Sequence, residues 1–225
     1  MTELKRATKP FKFFTRLNLQ ELTGLMAWTL KEMLDVLKKV PGAVIYHHTH
    51  RFLQQHQYLS PEPPNDFAYW VSNVLGERQL AEELASIDTV RFNTIRLLRE
   101  KIIATIKTHL KKHRRSRRAL PGQEFYFIKS ISFILPLPCQ ARTLQEFVEI
   151  LKNISIRSLY FHIFEARLRL KKKKNDFSNW IETSLGDKKL ARDITRLDPY
   201  THTMEGLRQS LIELIQERIR EIKNA

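Results

Sequence analysis

The sequence predicts a mainly α protein with a minor β component. Apolar residues recur at helical spacing along most of the 225 residues, whereas two segments alternate apolar and other side chains as strands do. In addition, one pattern occurs twice, most clearly as Asn-Asp-Phe-x-x-Trp at residues 65–70 and 175–180. We therefore expect two tandem repeats of about 100 residues. Each would contain one extended segment and four or five helices, and a pseudo-twofold axis would relate them.

The expected bounds are a first repeat over residues 1–106, a basic linker over 107–123 and a second repeat over 124–225. The linker is placed there because Pro121-Gly122 follows a run of basic residues, and such a stretch is typical of a junction. The sequence leaves open whether the repeats pack as one domain or two.

Each repeat opens with an extended segment. Phe11 and Phe125 begin these segments at an offset of 114 residues, and apolar side chains occupy every second position after them. Pro136 and Pro138 exclude a helix or a central strand at the end of the second segment. We expect two short strands, which the symmetry of the repeats would pair in a small sheet.

The first helices have recognisable start signals. Thr29 and Thr143 each stand three residues before a glutamate, which is the spacing of a capping box. Apolar residues then follow at helical spacing, so both helices are predicted. Another helix is expected around Tyr46 and Tyr160, again at the offset of 114 residues.

The repeated Asn-Asp-Phe motif begins the next helix. Asn and Asp are favoured N-caps, so we interpret Asp66 and Asp176 as caps rather than as paired catalytic carboxylates. Asp88 and Asp198 receive the same interpretation.

Two further helices complete each repeat. Gly76 and Gly186 suit the left-handed position that ends a helix, and a Leu-Ala pair four residues later opens the next one. A closing helix follows, with apolar residues recurring every three or four positions as far as Leu110 and Ile222.

A tyrosine, a histidine and an aspartate recur in both repeats and form the candidate ligand or partner pockets. These residues are Tyr46, His48 and Asp66 in the first repeat, and Tyr160, His162 and Asp176 in the second. The alternative is that each tyrosine and histidine lies in the core and bonds a neighbour or a backbone carbonyl, as buried polar groups do. We predict no catalytic residue.

Histidines cluster in the first repeat only and raise the hypothesis of a metal site. The cluster contains His47, His48, His50 and His56. Imidazole is a common ligand of transition metals. The first three, however, lack the i, i+4 spacing of a helical zinc pair, and the second repeat has Phe161 and Phe164 in place of His47 and His50. We predict no metal and no cofactor, and a metal-dependent enzyme is an alternative function.

The net charge of +15 is concentrated in two places. One run carries seven basic residues and no acid: Lys107, Lys111, Lys112, Arg114, Arg115, Arg117 and Arg118. Four more lysines occupy residues 171–174. Such patches suit phosphate, acidic protein or anionic lipid. We expect the first run to be a solvated linker, with nucleic-acid binding through it as an alternative function.

Composition and motifs limit the compartment and the class of protein that we expect. Cys139 is the only cysteine, which excludes an intramolecular disulfide and favours a reducing compartment. No segment has the roughly 20 apolar residues of a membrane span, so we expect a cytoplasmic protein. The chain has no Gly-rich phosphate loop, GxSxG, HExxH or CxxC motif, and a binding protein is therefore favoured over an enzyme.

Several strings are similar to an uncharacterised prokaryotic family known only as a domain of unknown function. They are residues 46–56, 58–67, 85–88, 158–170 and 197–200. The resemblance implies no catalytic residue, and it implies a loose association with sugar-transfer and trehalose-related enzymes. We expect a non-catalytic protein-binding or regulatory module, with a carbohydrate-active enzyme as a candidate partner. The oligomeric state is left open.

Overall fold

The fold is mainly α with a small two-stranded sheet, as the sequence predicts. The computed structural model describes residues 5–51, 65–113, 117–166, 168, 174–197 and 203–224. Within those ranges, no helix combines the length and the apolar character that crossing a membrane requires.

The elements of the first half are β1 (Phe11–Ala27), α1 (Leu30–Leu37), α2 (Gly42–Tyr46), α3 (Asp66–Asn73), α4 (Arg78–Ala85) and α5 (Ile95–Lys112). Those of the second half are β2 (Phe125–Ala141), α6 (Leu144–Asn153), α7 (Ile156–Tyr160), α8 (Asp176–Trp180), α9 (Lys188–Arg196) and α10 (Met204–Asn224). Helices α2, α7 and α8 continue into π-helical turns at His47–Arg51, Phe161–Glu165 and Ile181–Leu185, and a 3₁₀ turn covers Thr89–Arg91.

The two strands pair with each other, as expected, but each is longer than the short segment predicted. Both contain 17 residues. The hydroxyl of Thr23 donates to the carbonyl of Phe127 (2.6 Å), and that of Ser132 donates to Asn18 (2.6 Å). Residue numbers rise along one strand as they fall along the other, so the pairing is antiparallel. A two-stranded sheet has no central strand, and β2 therefore accommodates Pro136.

The described residues form two compact units whose bounds cross the halves of the sequence. One unit contains residues 5–17 and the described residues from 133 to 224. The other contains 18–51, 65–113 and 117–132. The segment that opens each half of the chain thus belongs to the unit built mainly from the other half.

Aromatic side chains at the start of each strand fill the core of these units. The ring of Phe11 lies 5.3 Å from that of Phe147 and 5.5 Å from that of Trp180. In the other unit, Phe125 stacks on Phe67 with ring centroids 5.3 Å apart. Edge-to-face and offset pairs of this kind contribute about 0.5–1.5 kcal/mol each beyond the burial of their area. The strand starts are therefore part of the cores.

Each unit also ties a tryptophan to the backbone that enters its strand. The indole N–H of Trp180 donates to the carbonyl of Lys9 (2.8 Å), and that of Trp70 donates to the carbonyl of Gln123 (2.7 Å). A buried indole N–H needs an acceptor, and here the acceptor lies just before the strand.

The predicted helix starts are present. Thr143 and Glu146 form a complete capping box at α6. At α1 the Thr29 side chain accepts from the N–H of Glu32, but the Glu32 carboxylate accepts from the N–H of Trp28 (2.7 Å). The reciprocal bond of the predicted box is thus displaced by one residue.

The glycines after α3 and after the turn that follows α8 also occupy their predicted conformation. Gly76 has φ +68° and Gly186 has φ +75°. A Cβ on Gly76 would lie 2.8 Å from Nη1 of Arg117, and one on Gly186 would lie 3.1 Å from Nζ of Lys5. Both positions therefore need glycine for the backbone angle and for the approach of a cation.

We predict that Phe13→Ala loosens the unit containing α6, although Phe13 belongs to the first half of the sequence. Phe13 is fully buried, and its ring lies 5.4 Å from that of Phe147. Removing a buried phenyl ring costs about 3–5 kcal/mol. Hydrogen exchange followed by mass spectrometry should show faster exchange in peptides of α6, and Phe127→Ala should have the same effect on α1.

Phe133→Ala serves as the control because Phe133 is exposed on β2. It should leave exchange in both helices near that of the parent protein. Faster exchange in α1 but not in α6 after Phe13→Ala would contradict the assignment of the segment to its unit.

Candidate functional site

The predicted pocket residues of the first half contain a buried histidine that pairs with a partly exposed aspartate. His48 lies in the π-helical turn after α2, and its Nδ1 is 2.7 Å from a carboxylate oxygen of Asp66, the first residue of α3. Its Nε2 accepts the backbone N–H of Ile128 in β2 at 3.0 Å. His48 is 3% exposed, so the imidazole joins a helix to a strand inside the unit.

The second half forms the same arrangement. Nδ1 of His162 is 2.7 Å from a carboxylate oxygen of Asp176, and Nε2 accepts the backbone N–H of Phe14 in β1 at 2.9 Å. His162 is 2% exposed. Each pair therefore holds one backbone amide of one strand.

The strand amides fix the tautomer of both histidines. A backbone N–H can only donate, so each Nε2 must be unprotonated. The ring proton then resides on Nδ1, where it is donated to Asp66 or Asp176. Because the Nε2 lone pair is already engaged, neither imidazole can take a proton from a substrate without releasing the strand.

Aromatic rings enclose the two pairs. The imidazole of His48 lies 4.7 Å from the ring of Phe125, and that of His162 lies 5.0 Å from the ring of Phe11. Asp66 has a side chain 34% exposed, whereas Asp176 is 13% exposed. These side chains are packed between elements rather than gathered in an open cleft.

The two predicted pocket tyrosines are buried and stack on residues of the adjoining π-helical turns. Tyr46 stacks on His50 with ring centroids 5.4 Å apart, and Tyr160 stacks on Phe164 at 4.8 Å. His50 and Phe164 correspond at the offset of 114 residues. The two tyrosines thus occupy matching packed positions in the two halves.

The interpretation of Asp66 and Asp176 as helix caps is wrong. The side chains of Asn65 and Asn175 make the capping bonds, accepting from backbone N–H groups three residues later at 2.9 and 2.8 Å. Since only one residue can occupy the N-cap, the aspartate beside each asparagine is left for another partner. The recurrence of both an aspartate and a histidine in each half was the available signal for the pairing.

Asp88 and Asp198 were also predicted to be helix caps. Asp88 makes no side-chain capping bond to the 3₁₀ turn that it precedes, and its carboxylate lies 2.6 Å from Arg91. Asp198 lies outside the described residues.

The histidine cluster supplies one three-residue group with metal-ligand geometry. Ligand atoms of His47, His48 and Asp66 all lie within 4.8 Å of one another. Nδ1 of His47 is 3.1 Å from the hydroxyl of Ser130, and His56 lies outside the described residues. The other unit forms its own pair with Phe161 at the position of His47, so the histidine–aspartate bond does not need a metal.

The basic run is divided between an exposed helix end and a packed segment. Lys107, Lys111 and Lys112 are exposed on α5, whereas Arg114 and Arg115 lie outside the described residues. Arg118 lies over the ring of Trp28 at 4.9 Å and 3.5 Å from a carboxylate oxygen of Glu32, and Arg117 approaches Gly76. The last two arginines therefore contact their unit. Of the lysines at 171–174, the described one is Lys174, which forms an ion pair with Glu182.

Two buried charged contacts were missed from the sequence. Arg208 of α10 donates to the carbonyls of Leu151 and Ile154 (2.9 and 2.8 Å), at the end of α6. Arg16 forms an ion pair at 2.5 Å with Glu165, which is 1% exposed. An arginine on the apolar face of a closing helix was the only signal for the first contact.

These observations define a class: a mainly α protein in which two buried histidines, each paired with an aspartate, bond the strands of a two-stranded sheet. The chain belongs to the family of unknown function (DUF5752), whose model matches residues 8–216. The predicted resemblance to a family of unknown function is confirmed at that level.

The chain is also similar to the solved structure of OrfY from Thermoproteus tenax. The TM-score is 0.79 at 26% sequence identity, over 96% of this chain and 98% of that one. No functionally curated protein matches the chain.

We predict that His162→Phe destabilises the protein by about 1–3 kcal/mol, because it leaves the Phe14 N–H and the Asp176 carboxylate without their partner. Asp176→Asn should cost less, since an amide oxygen can still accept the Nδ1–H. Urea unfolding measures both effects.

His113→Phe is the control, because His113 is exposed at the end of α5. It should change stability by less than about 0.5 kcal/mol. Long-range ¹H–¹⁵N spectra should show His48 and His162 with bare Nε2, and finding a proton on Nε2 would contradict the assigned bonds.

Proposed function

We propose that this protein is a non-catalytic protein-binding or regulatory module, built from two repeats related by a pseudo-twofold axis, with its strands as the binding surface. The observation that carries the proposal is exposed apolar area. Ten of the thirteen exposed large apolar side chains among the described residues lie on the strands: Leu17, Leu19, Leu22, Leu25 and Met26 on β1, and Tyr126, Ile131, Phe133, Ile134 and Leu135 on β2. Exposed apolar side chains concentrated on particular elements are typical of interaction sites.

The strand pairing brings some of these side chains together. Within the unit that contains α1, Asn18 meets Ser132 across the strands. The next pair in the antiparallel register is Leu19 and Ile131, which share one face of the sheet. Leu19 is 50% exposed and Ile131 is 37% exposed, so this pair can form the centre of a contact. Leu22, 74% exposed, lies three positions further along β1 and therefore faces the other side of the sheet, so both faces of this strand expose apolar side chains.

The groups that an enzyme would need are engaged in packing. His48 and His162 use their Nε2 lone pairs on strand amides, and their Nδ1 atoms bond carboxylates. Burial raises the pKa of the Cys139 thiol, which keeps it in its less nucleophilic protonated form. Both facts favour a binding role over catalysis.

The net positive charge indicates what kind of partner the protein would bind. The net charge of +15 opposes a complex between two copies of the chain and favours an acidic protein with an apolar docking face. A carbohydrate-active enzyme, the class suggested by the family resemblance, is one candidate. The strand surface would supply the apolar contact, and the chain's charge would speed the encounter.

We predict that Leu19→Ser with Leu22→Ser weakens partner binding at least 10-fold without unfolding the protein. Exposed leucines contribute little to folding, whereas an apolar anchor at an interface contributes much to binding. Affinity capture from the source organism would identify the partner. Calorimetry on the two purified proteins would then measure the dissociation constant for parent and variant.

The control is Leu120→Ser, because Leu120 is 66% exposed and lies outside both strands. It should bind as the parent does. The proposal fails if the purified proteins do not associate, if the control loses as much affinity as the double variant, or if the partner is a second copy of this chain.

A metal-dependent activity is the second candidate, favoured by the spacing of the His47, His48 and Asp66 ligand atoms. If the pair is structural, as its counterpart beside Phe161 indicates, the untagged protein should carry no stoichiometric metal. Added zinc or manganese should then leave its melting temperature unchanged. Elemental analysis and a thermal melt decide between these functions, and a metal bound in a 1:1 ratio and lost in His47→Phe would favour the second one.

A further inference from the structure

Helix α9 carries a row of cations on one face. Lys188, Arg192 and Arg196 stand at i, i+4 and i+8, so their side chains project from the same side of the helix. The opposite side is apolar and buried through Leu190 and Ile194. The row is therefore displayed outward by the packing of the helix.

No acid among the described residues neutralises this row. Other cations nearby are paired: Lys189 lies 3.1 Å from Glu221, and Arg218 lies 2.6 Å from Asp187. The side chains of Lys188, Arg192 and Arg196 make no ion pair or hydrogen bond with any part of the chain that the structure describes. The one acid within α9 is Asp193, which stands three residues before Arg196 and about 60° from it around the helix, yet no ion pair joins the two side chains.

The row lines a depression of about 290 Å³ together with Thr195 and the Lys174–Glu182 ion pair. Its charged groups are four cations (Lys174, Lys188, Arg192 and Arg196) and one carboxylate (Glu182), so 4 − 1 gives a net charge of +3. Concave surfaces lined by one sign of charge concentrate ions of the opposite sign.

The fold does not require these charges. Like charges at i, i+4 destabilise a helix. Helix α4 in the other unit also follows a left-handed glycine, and at the same three positions it has Arg78, Glu82 and Ser86. A helix in this setting can therefore be built without a positive row, which makes the row of α9 a feature that ligand binding would explain.

We propose that the basic face of α9 is a binding site for a small molecule that carries two or more phosphate groups. Guanidinium groups bind phosphate through paired hydrogen bonds, and lysine adds a point charge. Successive cations of the row are separated by about 6 Å along the helix axis, so the row is longer than a single phosphate group. Among the described residues no aromatic side chain lines the depression, and these residues give the bases of a nucleic acid no ring on which to stack.

The test compares three probes on the full chain by calorimetry: inorganic phosphate, pyrophosphate and tripolyphosphate. Affinity should rise along this series and fall as salt is added. The combined change Arg192→Glu and Arg196→Ser gives α9 the residues that α4 carries at these positions, so the helix should still form. It should weaken tripolyphosphate binding at least 10-fold.

The matched control is Arg78→Glu with Lys107→Ser in the other unit, which changes the net charge by the same −3. Both side chains are exposed, so a melting curve should show each variant folded. The site is supported if only the α9 variant loses affinity. Equal losses in both variants would overturn it, because the anion would then be responding to total charge. It would also be overturned if a single-stranded oligonucleotide bound through α9 while tripolyphosphate did not.

Discussion

Each strand of the sheet delivers one backbone amide to a buried imidazole, and the surrounding structure depends on that bond. An isolated pair of strands is marginal in water, and both of its edges carry unpaired backbone groups. Nε2 of His48 satisfies the amide of Ile128 while its Nδ1–H is held by Asp66. Asp66 is in place because Asn65 begins α3. A helix cap, a carboxylate, an imidazole and a strand thus form one connected series of contacts, and aromatic rings pack against the imidazole.

The starts of the helices were predictable because capping is local chemistry. Thr143 and Asn175 each bond an amide three residues away, so the signal lies within one turn of sequence. The histidine–aspartate pairs were harder, because His162 bonds Asp176 14 residues later and an amide 148 residues earlier. Spacing alone cannot reveal such contacts. Asp66 and Asp176 were assigned to capping because aspartate is a favoured N-cap, but the asparagine before each of them occupies that position.

The length of the strands and the residues they pack against could not be predicted from the sequence pattern either. Polar residues and Gly24 after Leu19 resemble the end of a strand, yet β1 continues to Ala27. A pattern also states which residues prefer burial without stating what they pack against. Nothing about Phe11 indicates that its ring will meet Phe147 rather than an aromatic residue of its own half. The fold class could therefore be predicted, whereas the unit to which each strand start belongs could not.

The crossing of the units has a consequence for synthesis on the ribosome. The described residues of one unit all lie between residues 18 and 132, so its core is complete once that stretch of the sequence has emerged. The other unit needs residues 5–17 and residues beyond 133, and Phe13 precedes Phe147 by 134 positions. Contacts so distant in sequence form slowly. Residues 5–17 are thus made before the rest of their core, and their phenylalanines stay accessible to chaperones until the helices they pack against have been made.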